Sequence, residues 1–221
     1  MPIYQIYQLL HERYGPQGWW PLTKRGFRPK HHSGKPANDK HRFEIFIGAI
    51  LTQNTNWRNV EKALYNLSKN KLIDPTKIIR TDIAHLANLV KPSGYYNQKA
   101  ERLKLAAEFF LANKNPTRDQ LLELKGIGPE TADSILLYAY NKPFFVIDAY
   151  TRRIFERLGH SCRTYDEWQE LFKKTLPNDP KIFDEYHALI VEHAKSHCKK
   201  IPECKGCPLM ICKNFLNNNK T

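Results

Sequence analysis

The chain strings together short apolar stretches at helical spacing, separated by breaks rich in Gly, Pro and Asn. Nowhere does it sustain the two-residue alternation of a half-buried strand. The expectation is an all-α fold. Ile3 to Tyr14 reads as a short amphipathic helix, broken by Gly15 to Pro21, which contains Trp19-Trp20-Pro21. Residues 24–42 show no apolar period and read as a flexible basic loop. Phe43 to Lys69 is helical with a polar interruption. Residues 71–112 read as two or three short helices, with a turn at Lys91-Pro92-Ser93-Gly94 and a helix from about Asn97. That last element, through Lys99 and Ala100, is assigned to scaffold. Further helices are expected near 149–158, 166–175 and 180–196. Asp166 and Asp179 lie near the starts of the last two, where acidic groups suit the helix dipole.

The stretch from Leu121 to Arg153 organises the rest. A short helix is expected to end at Leu124, followed by a Gly126-Ile127-Gly128 turn. Pro129 favours the first position of a second helix, on which Ala132, Ile135, Leu136 and Ala139 form one apolar face. Asn141-Lys142-Pro143 stops it. The apolar run Phe144 to Ile147 leads to Asp148, placed to cap a third helix. Glycines let the turn come close to another molecule, and the amides opening the second helix make an anion site. An ordinary helical hairpin whose glycines serve only the turn is the other reading.

Charge shifts the balance. Across 221 residues the formal net charge is +13, and such an excess favours a polyanion, nucleic acid first. The loop carries Lys24, Arg25, Arg28, Lys30, Lys35, Lys40 and Arg42 with His31, His32 and His41. It reads as a phosphate contact, a solvated flap or, least, a histidine metal site. No apolar run is long enough to span a membrane. The N-terminus lacks the pattern of a secretion signal, so a cytoplasmic, nucleoid-associated protein is expected.

Four of five cysteines are clustered, as Cys198-x5-Cys204-x2-Cys207-x4-Cys212. In a chain without a secretion signal this reads as metal or cluster ligation rather than disulfides. Four thiolates suit tetrahedral zinc or a four-iron cluster, and the spacing alone leans to zinc. Cys162 stands apart and reads as a small buried hydrophobe. The adjacent tryptophans read as core anchors or as the wall of a pocket for a planar ligand.

Leu124, Gly126, Ile127, Gly128, Thr131 and Ala132, followed by Ile147, Asp148 and Arg153 and then the cysteines, resemble the helix-hairpin-helix DNA glycosylases of the endonuclease III superfamily. The resemblance runs from about Phe43 to Phe215. It implies two helical domains with the active site in the cleft between them. Residues 43–141 would form one, with the hairpin at 121–139; residues 1–42 with 142–221 would form the other, carrying the catalytic aspartate and the cysteine loop. It implies Asp148 as the catalytic carboxylate, and Gly126, Ile127, Gly128 and Arg153 as DNA contacts. Asn54, from Leu51-Thr52-Gln53-Asn54, would fill the gap left by an extruded base. It also turns the cysteine reading towards a [4Fe–4S] cluster, with zinc second, although the outer spacings are each one residue shorter than the family's. Lys199, Lys200 and Lys205 would then face phosphates.

One departure carries the functional expectation. Bifunctional members hold a lysine two positions after the second glycine, where it attacks the sugar. Glu130 stands there, and a carboxylate forms no Schiff base. The resemblance is therefore to monofunctional enzymes, 3-methyladenine DNA glycosylases above all, with a base pocket of Trp19, Trp57 and Glu130. Such an enzyme flips a damaged nucleotide from double-stranded DNA and acts as a monomer. The competing expectations are a glycosylase for mismatched thymine or uracil or for an oxidised base, and, in a different class, a non-catalytic helix-hairpin-helix DNA-binding module.

Overall fold

The computed structural model describes residues 1–24, 28, 30, 35–209 and 212. It is helical throughout; the one β feature among the described residues is an isolated antiparallel bridge between Leu22 and Lys30. Of the basic loop, Arg25, His31 and His32 lie outside the described residues, as does Phe215, the end of the family resemblance. The chain divides into two compact units, one of residues 1–18 with the chain from Pro143 onward, the other of Trp19–Lys142.

The first unit contains α1 (Ile3–Tyr14) and, later in the chain, α9 (Ala149–Arg157), α10 (Tyr165–Thr175) and α11 (Pro180–Ser196). Each later helix starts on a side-chain cap. Asp148 accepts from the Thr151 amide, Thr164 from Glu167 and Asp179 from Lys181. These bonds satisfy amides that have no partner within the helix. The core is aromatic. Phe145 stacks on Phe172 with centroids 4.0 Å apart, and Phe155, Phe183 and Tyr186 pack edge-on around them. Tyr186 donates its hydroxyl to the Ile3 carbonyl at 2.8 Å, fastening α1 to α11. Cys162 is half-exposed in the connection after α9 rather than buried, because it follows the Gly159 turn that ends the helix.

The second unit contains α2 (Asp39–Thr52), α3 (Trp57–Lys69), α4 (Pro75–Arg80), α5 (Ile83–Val90), α6 (Tyr96–Ala112), α7 (Arg118–Leu122) and α8 (Pro129–Ser134). Every residue of α2 from Phe43 to Leu51 is buried. A helix apolar on all sides is a central helix, and α3, α6 and α8 pack around it.

Three sequence expectations change here. Helix α2 starts at Asp39, inside the expected flexible loop, because the Asn38 side chain accepts from the His41 amide and caps it. The segment from Trp19 to residue 42 belongs with the hairpin unit rather than with the termini. Trp20 seats against Gly48 of α2, Leu22 is buried, and the Thr23 amide donates to the Glu44 carboxylate. Finally, the hairpin's second helix does not run on as an α-helix: after Ser134 it widens into a π turn over Ile135–Ala139. Among the described residues, no helix is long and apolar enough to cross a membrane.

Candidate active site

The hairpin turn forms as its residue types require. Gly126 takes φ +85°, a conformation open to glycine at little cost. It also lies so close to the Arg102 guanidinium that a β-carbon would overlap it. Ile127 is buried and its amide donates to Leu124 O at 3.0 Å, while Gly126 and Gly128 are exposed. A β-carbon on Gly128 would meet nothing within 4 Å, so its bare backbone faces outward. Pro129 takes the first helical position, leaving Glu130 exposed in the first turn of α8.

Asn54 follows α2 in the left-handed region, φ +54°, and is exposed. Asparagine tolerates that conformation better than other side-chain-bearing residues. Asn56 then caps α3 by accepting from the Asn59 amide at 3.1 Å.

Trp20 is the ring set against Trp57, edge-on at 5.4 Å, and it also meets Tyr138 at 5.0 Å. Gly48 makes room: a β-carbon there would lie 3.2 Å from Trp20 Nε1. Trp20 is only 6% exposed, whereas Trp19 and Trp57 are both half-buried. Trp19 lies 6.3 Å from Tyr138. Tyr138 belongs to the π turn, and widening a helix by one residue re-aims the side chains it carries. Of two adjacent tryptophans, Trp20 is a core anchor and Trp19 is only half-buried. Among the described residues, the indole N–H groups of both Trp20 and Trp57 are buried without a hydrogen-bond partner.

Asp148 caps α9 with one oxygen and leaves the other for a neighbour. Oδ1 accepts from the Thr151 amide at 2.7 Å and from the Thr151 hydroxyl at 2.9 Å. Oδ2 lies 3.5 Å from Nε2 of His187 on α11, with the two side chains 13% and 7% exposed. Burial by itself would raise the carboxyl. The hydrogen bond and charge of His187, with the two bonds from Thr151, outweigh burial and hold Asp148 below the usual carboxylate range. His187 was not foreseen from sequence. Nothing in its local pattern marks it, since only the packing of α11 against α9 brings it to Asp148.

Arg153, expected on DNA, is turned to the cysteine loop: Nε donates to Cys198 O at 2.9 Å and the guanidinium lies over Tyr150 at 5.1 Å. One turn on, Arg157 donates to Cys198 Sγ at 3.1 Å and to the carbonyls of Lys199 and Lys200. Lys199 pairs with Glu203 at 2.6 Å, which draws that ammonium back to the loop. Among the described residues the four cysteines form no disulfide, and they line one cavity with Ile154, Leu158, His193 and Leu209. The Leu209 amide points at Cys207 Sγ at 3.4 Å, and His193 Nε2 lies 3.9 Å from the same sulfur. Burial first, and then the neighbouring cysteines, raise the Cys207 thiol. The N–H donors aimed at Cys198 and Cys207 favour thiolates there, which suit a positively charged guest. Among the described residues no three ligating side chains converge on a single ion.

With the geometry in hand, known proteins can be compared. A family model described as "HhH-GPD superfamily base excision DNA repair protein" matches residues 47–178. A protein of Methanocaldococcus jannaschii, provisionally named a DNA repair glycosylase, is 44% identical over 222 aligned residues, covering 94% of this chain and 93% of its own. Endonuclease III of Thermotoga maritima is 32% identical over 184 residues, 78% of this chain and 83% of its own. The crystal structure of the H. pylori 3-methyladenine DNA glycosylase bound to 1,N6-ethenoadenine superposes with a TM-score of 0.72 at 31% identity, covering 88% of this chain and 98% of the other. The family model spans the hairpin and the Asp148 cap, and on these matches this chain belongs to the HhH-GPD superfamily of base excision DNA repair proteins.

Proposed function

We propose that this protein is a monofunctional DNA glycosylase that removes an alkylated purine such as 3-methyladenine from double-stranded DNA and leaves the strand intact. The observation that carries the reading is Glu130, exposed in the first turn of α8 where bifunctional relatives hold a nucleophilic lysine, in a chain that keeps the carboxylate Asp148. The 31%-identical H. pylori structure, a 3-methyladenine enzyme by its own description, supports the lesion class.

The exposed backbone of Gly126 and Gly128, with the amides opening α8, takes a DNA phosphate. Asn54 fills the gap left when the nucleotide leaves the stack. The base lies against the half-buried indoles of Trp19 and Trp57. A purine methylated at N3 carries positive charge, and a desolvated cation over indole is favoured by about 1–2 kcal/mol over a neutral base. The cationic base is also a good leaving group, so strong general acid catalysis is not required. Asp148, held ionised by His187 and Thr151, stabilises positive charge developing on the sugar and orients water for attack. The cysteine set would hold a [4Fe–4S] cluster. Its role here is structural, tying the loop that Arg153 and Arg157 already anchor, and no chemical step passes through it.

The test is the identity of the free base released. Duplex DNA treated with a methylating agent is compared with duplexes carrying uracil, a thymine–guanine mismatch and oxidised guanine. Release of 3-methyladenine with an intact, alkali-labile strand is expected. Release of one of the other bases would overturn the lesion assignment, and release of none would favour a non-catalytic binding module.

A further inference from the structure

The α2–α3 connection that carries Asn54 is bonded to the hairpin turn through one side chain. The Gln53 amide nitrogen donates to Gly126 O at 2.9 Å and to the Thr131 hydroxyl at 3.0 Å, while its oxygen accepts from Arg102 Nη1 at 2.7 Å. Both ends of the amide are thereby committed, so its orientation is determined. Arg102 also packs against Gly126, so it touches the turn and the glutamine together.

One turn earlier on α6, Lys99 is 1% exposed and spends all three ammonium protons on backbone carbonyls. They are Leu51 O at 2.9 Å, Gln53 O at 2.9 Å and Ser93 O at 2.7 Å. Two of these carbonyls belong to the C-terminal end of α2, where a helix leaves acceptors unpaired and favours a cation. Lys99 and Arg102 thus project from one face of α6 onto the main chain and side chain of the residue immediately before Asn54. The scaffold reading of the Lys99 element is therefore incomplete.

We propose that Gln53, seated by Arg102 and Lys99, is a positioning residue that locks the hairpin's phosphate grip in register with Asn54, so that gripping the backbone and extruding the nucleotide occur as one event. The proposal rests on the glycosylase reading above. A phosphate drawn onto the Gly126–Gly128 turn loads the Gly126 carbonyl, and the load passes to Gln53 through a direct bond. The connection is a contiguous hydrogen-bonded path rather than mere proximity. Without it the hairpin still binds, but the wedge is no longer held at a set offset from the gripped phosphate.

The experiment uses the full chain and a duplex with 2-aminopurine beside the lesion, whose fluorescence rises on unstacking. Gln53→Met removes both halves of the link. Gln53→Glu keeps Arg102 and sets an acceptor against Gly126 O, while Arg102→Met removes only the other half. For all three, duplex affinity is expected to stay within roughly threefold, while the fluorescence rise and single-turnover base release fall by roughly tenfold, inside the usual range of site-to-site coupling. A purely structural role would instead lower the melting temperature and the affinity together. Gln53→Met and Arg102→Met variants that extrude as the wild type does would overturn the coupling alone. A wild-type chain that extrudes but releases no base would overturn the glycosylase reading alone, and one that never extrudes would overturn both.

Discussion

Asp148 and His187 face each other across α9 and α11, with His187 Nε2 3.5 Å from the carboxylate oxygen that the helix cap does not use. The carboxylate therefore has two separable duties. One oxygen terminates α9 through Thr151, and the other is held towards a histidine. Asparagine caps helices about as well as aspartate. Asp148→Asn is accordingly expected to keep the fold and DNA affinity while abolishing base release, measured by single-turnover excision and by thermal melting. Retained turnover would remove Asp148 from the chemistry.

His187 and Thr151 hold the Asp148 carboxyl down against burial. A depressed carboxylate contributes stability that is present above its unfolded value and lost as pH falls through the folded one. His187→Gln should therefore move the acidic limb of the excision profile to higher pH and lower kcat near that limb. An unshifted limb would show that another group sets the ionisation of Asp148.

On the proposed reading, Glu130 is what separates this chain from strand-cleaving relatives. The wild-type chain is expected to give no borohydride-trapped covalent adduct on lesion DNA. Glu130→Lys places an amine in the first turn of α8, where the helix dipole lowers its proton affinity, and it should yield a trappable adduct. Trapping by the wild type would mean that a different lysine supplies a lyase step.

The tryptophans should respond differently to truncation. Trp20, buried against Gly48, Tyr138 and Trp57, is expected to cost about 3–5 kcal/mol of stability as Trp20→Ala. Trp57→Leu should cost little stability but weaken kcat/KM for a cationic base by about 1–2 kcal/mol, with a smaller loss for a neutral base. Equal losses on both substrates would argue against a cation held over the indole.

Two buried acids make stability fall with rising pH. Burial raises Glu44 from 4.5 to about 7 despite the Thr23 amide, and raises Asp184 from 3.8 to about 8, with Glu185 adding to the effect. Between the unfolded and folded values the native chain binds more protons than the unfolded one, so each site lowers stability as pH rises, by up to about 1.4 kcal/mol per pH unit. Glu44→Gln should flatten the slope below pH 7 and Asp184→Asn the slope up to pH 8. Denaturant melts between pH 5 and pH 9 would show the change, and an unaltered slope in both variants would overturn it.

Much of this protein is written locally. The helix over Ile3–Tyr14, the caps at Asp148 and Asp179, the Gly126-Ile127-Gly128 turn and Pro129 at the head of α8 each depend on residues within a turn or two of one another. Periodicity, capping and positive φ are short-range properties that a sequence displays directly. The cysteine spacing is local in the same sense, and so is the substitution at Glu130.

What the tertiary structure decided are choices between chemically equivalent neighbours and meetings between distant residues. Trp19 and Trp20 are indistinguishable by pattern; the absent side chain of Gly48 admits one of them to the core. Glu44 is buried because α2 is surrounded on all sides. His187 reaches Asp148, and Gln53 reaches Gly126, only through packing between helices remote in sequence. Short-range rules determined the helices and their ends, while burial and hydrogen-bond satisfaction within each unit determined which distant side chains meet.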